Sequence, residues 1–232
     1  EGGAFTGAPN FGLGVGGGSL VWTNVALRFH RHDFRMKSEY GEVPGAALDD
    51  WPISYDDLEP FYNEAEDQLG VAGAETPWED QRQHAFPFPA FAPYDSSIAL
   101  KEAMASIGLR SGPGPVAVAS VTRDDRNACM HCGFCRSSCR IDAKFQADHA
   151  LIDPLLKSGS IELVSQAEVL RLTTGDRADC VRAVEYIDLE SGSRQEARGR
   201  LFFVCNNPIE TPRLFLNSSS AAHPAGLANQ ND

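Results

Sequence analysis

Four cysteines fall within eleven residues, Cys129, Cys132, Cys135 and Cys139, in the run CMHCGFCRSSCR. Spacings of two and three residues are too tight for ordinary disulfides that cross a fold. Thiols this close in sequence are more often gathered around a metal. C-x2-C-x2-C-x3-C is the spacing of a bacterial-ferredoxin run, in which the fourth cysteine ligates a second cluster, so four in a row do not by themselves make one ligand set. Cys139 is followed by Arg140, not proline. Zinc competes, but structural zinc ordinarily takes two separated ligand pairs. A disulfide knot and a reactive thiol pair compete with both metals. The remaining cysteines, Cys180 and Cys205, fall in or beside predicted strands and read as small buried apolar residues.

The surrounding chain is acidic and globular: 232 residues, net charge −12, 42% hydrophobic. That length buries one large core or two small ones. The charge disfavours nucleic acid as a partner and supplies no polybasic membrane signal. No apolar run approaches the ~20 residues of a bilayer span. The sequence does not begin with Met, and both ends are loop-like, so it reads as a fragment in which the lack of a targeting segment carries no weight.

Residues 1–24 are glycine-rich. Gly12, Gly14 and Gly17 formally satisfy G-x-G-x-x-G, but no hydrophobic strand precedes them, as a dinucleotide fingerprint requires. A loop whose glycines let backbone approach a bound ligand fits better, against the alternative of a mobile glycine loop. Ser54 and Asp57 give a helix-capping pattern. Pro60 is expected to restart that helix as its first residue, with Phe61, Ala65 and Leu69 facing inward, the acids solvated and Gly70 ending it. A second helix is predicted over 97–107 and a third over 145–157, interrupted at Pro154. From residue 161 the period changes: IELVS, EVLRLTT, VRAVEYIDL and RLFFVC read as strands of a β-meander, separated by the turn-like TGDRAD and ESGSRQ. The last of these feeds a turn at Asn206 and Asn207 and then a helix starting near Pro212, which is where α/β folds place cofactors.

Four stretches, in order, resemble the glucose–methanol–choline (GMC) flavoprotein oxidoreductases, in the gluconate- and sugar-dehydrogenase branch. They are GVGGGSLVWTN with RFHRHDF, then DDWPISYDDLEPFYNEAEDQLGVAG, then the cysteine run followed by Ala143 and Lys144, then LFFVCNNPIETPRLFLNSS. The resemblance implies a mixed α/β (α+β) FAD-binding fold, incomplete here, in three regions. Residues 1–70 would carry the flavin loop and its following helix, 71–158 a loop-rich insertion with the cysteines, and 159–232 the β-meander and the return to the flavin domain. It places the dinucleotide fingerprint upstream of this chain and the catalytic histidine downstream. His30, His32, His84, His131, His149 and His223 then read as structural or surface residues.

The implied cofactor is FAD. Gly16, Gly17 and Gly18 would let a flat isoalloxazine approach bare backbone. Ser19 would hydrogen-bond the flavin or its pyrophosphate. Trp22 and Thr23 stand where oxidase members tend to have Asn and Gly, leaving Asn24 as the candidate facing the flavin's reactive edge. Asn206 and Asn207 replace the more usual Ala-Gly of the return turn, Asn being tolerant of left-handed backbone. Val169 is placed where relatives touch the adenine. Cys129, Cys135 and Cys139 match the x5, x3 spacing associated in sugar dehydrogenases of this branch with a 3Fe-4S cluster, and Cys132 would complete a 4Fe-4S site or stand by. Long-chain alcohol oxidases carry a similar stretch without an established cluster. The implied reaction is oxidation of a sugar, sugar acid or alcohol CH–OH group. A histidine base takes the hydroxyl proton, hydride passes to flavin N5, and electrons leave through the cluster to a quinone or a cytochrome c subunit. Likeness to the sugar dehydrogenases implies a periplasmic or membrane-associated complex, and otherwise a cytoplasmic protein. An oxidase without a cluster, an inactive fragment and a non-enzymatic iron–sulfur module are the competing readings.

Overall fold

The computed structural model describes residues 12–46, 48–76, 82–123, 126–175 and 180–227. It divides into two compact units, Glu1–Ile161 and Glu162–Asp232. The fold is a mixture of helix and strand, with a three-stranded antiparallel sheet near the C-terminal end.

In the first unit the glycine run closes into a short 3-10 turn, Gly17–Leu20. Helix α1 is one turn, Met36–Tyr40, and α2 is the long helix, Tyr55–Leu69. Ser54 caps α2 as its sequence requires. Its Oγ accepts the Asp57 N–H at 3.3 Å, and Asp57 Oδ2 accepts the Ser54 N–H at 2.8 Å. Gly70 ends the helix in the left-handed region. Pro60 does not restart it. The helix runs through Pro60, its sixth residue, and forgoes the one backbone bond that an N–H there would donate.

The inward face of α2 also differs from expectation. Phe61 is 65% exposed, whereas Tyr55, Glu59 and Glu66 are buried. Two arginines distant in sequence reverse the pattern. Arg28 meets Glu66 in a two-pronged pair, Nε to Oε1 at 2.8 Å and Nη2 to Oε2 at 2.7 Å. Arg82 donates to the same carboxylate from the other side. Burial pushes the Glu66 carboxyl up, but these hydrogen bonds outweigh it and hold the group below the usual glutamate range. Arg28 loses by burial and regains more from Glu66 and Tyr55, so its guanidinium is held yet more firmly protonated.

Two short parallel strands follow, β1 (Ala72–Gly73) and β2 (Phe88–Pro89), and then α3 (Asp95–Ser106) close to its predicted bounds. Residues 115–119 form the central rung of the unit. Val116 and Ala72 exchange both backbone bonds, at 2.8 and 2.9 Å, and Ala117 donates to Asn24 O at 2.8 Å and accepts from Phe145 N at 2.9 Å. Ala119 donates to Ala143 O at 2.7 Å and accepts from Cys129 N at 2.9 Å. The core forms on both faces of this rung: Val71, Ala117 and Phe145, with Trp22 against them, and Ala72, Phe88 and Ala119. The third predicted helix starts later than expected, because Phe145 lies on the rung. A π-helical turn, Asp148–Ile152, leads into α4, Asp153–Lys157, with Pro154 in its first turn rather than interrupting it.

In the second unit β3 (Ala167–Thr174), β4 (Val181–Asp188) and β5 (Arg194–Arg198) make an antiparallel meander in that order. Helix α5 (Glu210–Asn217) follows. Leu172 and Ala183 of the sheet and Leu214 of α5 are buried. Ser218 closes this core, its Oγ donating to Leu214 O at 2.6 Å and accepting from Leu172 N at 2.9 Å.

Two predicted strands are absent from the described residues. Residues 161–165 straddle the boundary between the units, and residues 201–205 have no ladder partner. Leu201 and Phe203 are 71% and 81% exposed. Strand β5 was not expected: it begins at the end of the supposed turn ESGSRQ and runs on to Arg198, and all five of its residues are exposed, so no alternation marks it. Cys180 and Cys205, expected to be buried, are both exposed.

Candidate functional site

The glycine-rich loop and the cysteine loop meet in the first unit, joined by residues 143–148. This joining segment alternates. Ala143 and Phe145 are buried toward the core, Phe145 with its ring edge-on to Trp22 at 6.5 Å. Lys144 and Gln146 are 2% and 1% exposed, and their polar ends reach the two loops.

Gly16 and Gly17 have φ of 97° and 53°, values that side-chain-bearing residues rarely adopt. A Cβ on Gly16 would lie 3.1 Å from Leu20 and 3.3 Å from Asp148, whereas Cβ atoms at Gly17 and Gly18 would meet nothing within 4 Å. Bare backbone at 17 and 18 therefore faces open space while 16 packs inward. That fits the edge of a flat ring system approaching the chain. The Ser19 hydroxyl is engaged internally, donating to Gly16 O at 2.6 Å and accepting from Ala147 N at 2.9 Å. Asn24 is fully buried with φ 68°, its Nδ2 donating to Ala117 O at 2.9 Å, and its Oδ1 has no partner. It supports the loop from beneath and does not face solvent.

The four cysteines line one cavity of about 180 Å³, together with Tyr94, His131 and Lys144. All are free thiols. The His131 N–H points at Cys129 Sγ at 3.4 Å, and the His131 ring is hydrogen-bonded to Tyr94. Gln146 clamps the far end of the loop, accepting from Ser138 Oγ at 2.6 Å and Cys139 N at 2.9 Å. Burial pushes the Cys135 thiol up, Cys129 adding to the shift and the Lys144 ammonium opposing it. A raised thiol is a poor nucleophile at neutral pH, so Cys135 is not set up as an attacking thiol. The donor chemistry, four soft sulfurs on one cavity, suits an iron–sulfur cluster. As placed, however, no group of three or more His, Cys, Asp or Glu side chains among the described residues is arranged to hold a metal ion.

Lys144, read in the sequence only as part of the family-like cysteine stretch, was given no role there. Its Nζ donates to Leu20 O at 2.9 Å, Trp22 O at 3.2 Å and Cys135 O at 2.7 Å. Burial lowers its pKa, and the neighbouring Cys135, Cys139 and Asp148 oppose that shift. The signal was available in A-K-F-Q-A, residues 143–147, where polar and apolar residues alternate with the period of extended chain.

The second unit carries the other candidates. Val169 lies in β3 opposite Tyr186, next to a register shift. Asn206 is exposed. Asn207 Oδ1 accepts the N–H groups of Ile209 and Glu210, each at 2.9 Å, at the start of α5. Neither asparagine has a positive φ, so the turn forms without the left-handed backbone expected of it. No described helix is long and apolar enough to cross a membrane.

Comparison with known proteins gives this geometry a context. Residues 96–230 match the family profile described as GMC oxidoreductase. The fructose dehydrogenase large subunit of Gluconobacter japonicus is 30% identical over 94% of this chain and 39% of its own length. The 6'''-hydroxyparomomycin C oxidase of Streptomyces lividus is 29% identical over 93% of this chain and 39% of its own. The 2-methyl-1,2-propanediol dehydrogenase of Mycolicibacterium austroafricanum is 28% identical over 94% and 38%. The chain thus spans less than two fifths of the length of these curated relatives.

Proposed function

Because this chain belongs to the GMC oxidoreductase family, whose members bind FAD, we propose that it forms part of an FAD-dependent enzyme oxidising the CH–OH group of a sugar, sugar acid or alcohol. The observation that carries the reading is the bare backbone at Gly17 and Gly18, open on one side and buttressed on the other. When bound, FAD supplies the redox chemistry by accepting the hydride of the carbinol carbon. The chain's own residues bind and orient. Gly16 shapes the loop, Gly17 and Gly18 offer it, and Ser19 and Asn24 hold it in place. In the second unit Val169, Asn206 and Asn207 are the proposed flavin contacts, through their backbone. The histidine that removes the hydroxyl proton lies outside this chain. The relatives' names, a fructose dehydrogenase, a hydroxyparomomycin oxidase and a propanediol dehydrogenase, support a hydroxyl-bearing small molecule as donor.

The test is direct. Purified full-length protein is expected to show flavin absorbance and to reduce a dye when given sugars or alcohols. A colourless protein that reduces no dye with any of them overturns the proposal.

A second reading concerns the electron outlet, and the shared cavity of the four thiols favours it. Cys129, Cys135 and Cys139, with or without Cys132, would hold a 3Fe-4S or 4Fe-4S cluster that passes electrons to a quinone or a cytochrome c subunit. Stoichiometric iron and labile sulfide support the relay. Their absence from anaerobically purified protein leaves the flavin to pass electrons onward directly.

A further inference from the structure

A buried lysine ammonium is costly unless its donors are met. Lys144 has three donors, and the structure gives it three carbonyls: Leu20 and Trp22 on the glycine side and Cys135 on the cysteine side. One cation thus bridges two loops that lie more than a hundred residues apart in sequence. Leu20 O is the shared point, since it also accepts the Ser138 N–H at 3.2 Å. Gln146, one step along the same face, grips Cys139 through both its backbone groups, at 2.9 and 3.3 Å. On the other side of the segment the Ala147 N–H reaches Ser19 Oγ, and the Trp22 indole donates to Phe145 O at 3.3 Å. Any shift of the glycine loop must therefore move Lys144, and Lys144 is tied to the cysteine loop.

We propose that Lys144 is a positioning residue that couples the two loops, so that occupancy of the flavin site and the conformation of residues 135–139 depend on one another. The inference rests on the flavin reading above and deepens it. Such coupling is reciprocal. Flavin contact at 17 and 18 tightens the Leu20 and Trp22 carbonyls against Lys144. The third Lys144 bond then draws in Cys135, while the Leu20 carbonyl holds Ser138. Conversely, whatever orders the cysteine loop, a cluster or a partner surface, raises affinity for flavin. The lysine does this without touching cofactor or substrate, which separates it from a catalytic residue.

Amide hydrogen exchange on the full-length protein, flavin-free and FAD-reconstituted, tests the coupling. The amides of Ser138 and Cys139, bonded to Leu20 O and Gln146 Oε1, report on the cysteine loop. In the native protein, FAD is expected to slow both by roughly five- to 150-fold, the usual range for coupled sites. In Lys144→Met, FAD should still slow exchange over residues 17–22, but its effect on Ser138 and Cys139 should fall well below the native value, carried only by the remaining Leu20–Ser138 and Ser19–Ala147 bonds. Lys144→Gln, which keeps two donors, should retain part of the effect. Equal exchange at 138 and 139 with and without FAD in the native protein overturns the proposal, and so does full FAD-dependent slowing in Lys144→Met. If Lys144→Met does not fold, Lys144→Gln takes its place, and full native slowing at 138 and 139 in that variant likewise overturns the proposal. If FAD slows nothing over 17–22, the flavin reading itself has failed, and that outcome is recognisable by its own signature.

Discussion

Replacing Glu66 by alanine tests the reading of α2 most severely, because a sequence-based view would treat the residue as a solvated acid. Its carboxylate takes two hydrogen bonds from Arg28, at 2.8 and 2.7 Å, and two from Arg82. The side chains involved are 6–8% exposed. Removing one partner of a buried pair costs about 3–5 kcal/mol, chiefly because the other charge is left uncompensated. Here the remaining partners soften the loss. Arg28 keeps the Tyr55 hydroxyl at 3.1 Å and Asn63 Oδ1 at 2.7 Å, with Glu59 3.7 Å away. Arg82 keeps the His84 carbonyl at 3.2 Å and its stacking over Phe86. The lower end therefore applies, about 3 kcal/mol, or a fall in Tm of roughly 6–12 °C for a domain of this size. Thermal and urea unfolding of native protein, Glu66→Ala and the exposed control Glu64→Ala measure it. The control should stay within about 0.5 kcal/mol of native.

The same pair makes a signed prediction with pH. The folded Glu66 carboxyl lies below its ordinary range. Its contribution is therefore fully present above the unfolded value, about 4.3, and is lost as pH falls from there through the folded value. The stability gap between native protein and Glu66→Ala should be wide at neutral pH and narrow below about pH 4.3. A loss under about 1 kcal/mol at neutral pH, or a gap that widens in acid, refutes the claim that the buried carboxylate is ionised and holds both arginines.

Ser54→Ala, which removes the cap of α2, should cost about 1 kcal/mol by thermal unfolding. Gly17→Ala places a side chain at φ 53° with no steric neighbour; it should lower stability by about 1 kcal/mol and weaken FAD retention, measured as flavin per protein after gel filtration. Cys135→Ser in the full-length enzyme should keep substrate-driven dye reduction and lose cytochrome reduction, and unchanged cytochrome reduction counts against the relay.

What the sequence discloses depends on whether a signal is local. The cap at Ser54, the stop at Gly70 and strands β3 and β4 are written in consecutive residues, and they appear where expected. The buried face of α2 is not local. Phe61 and Ala65 look like its core, but guanidinium groups from residues 28 and 82 draw Glu59 and Glu66 inward. Residues 201–205 carry a strand's composition, yet a strand exists only through a neighbour's backbone, and none pairs with it among the described residues. At the site, the cysteines and glycines announce themselves by spacing. Lys144 does not, because a lone lysine reads as surface until the carbonyls that surround it are placed.

The glycine run itself admits two readings, a mobile loop or a ligand cradle, and the contacts around it favour the cradle. Ordering backbone costs about 1–2 kcal/mol per residue, and glycine loses the most. This loop is held at successive points along its length. Ser19 binds Ala147, Leu20 and Trp22 meet Lys144, Asn24 is bonded to Ala117 through both backbone and side chain, and Arg28 locks onto Glu66. The attachments come from the rung, the cysteine-side segment and α2, and at Gly17 and Gly18 they leave the space a side chain would fill open. Fixing the support while baring the contact is what a preorganised binding surface requires. Cutting one attachment, at Lys144, should therefore loosen the loop's link to the cysteines and cost flavin affinity only the share that this reciprocal coupling supplies, whereas bulk at Gly17 should weaken flavin contact directly and spare the link.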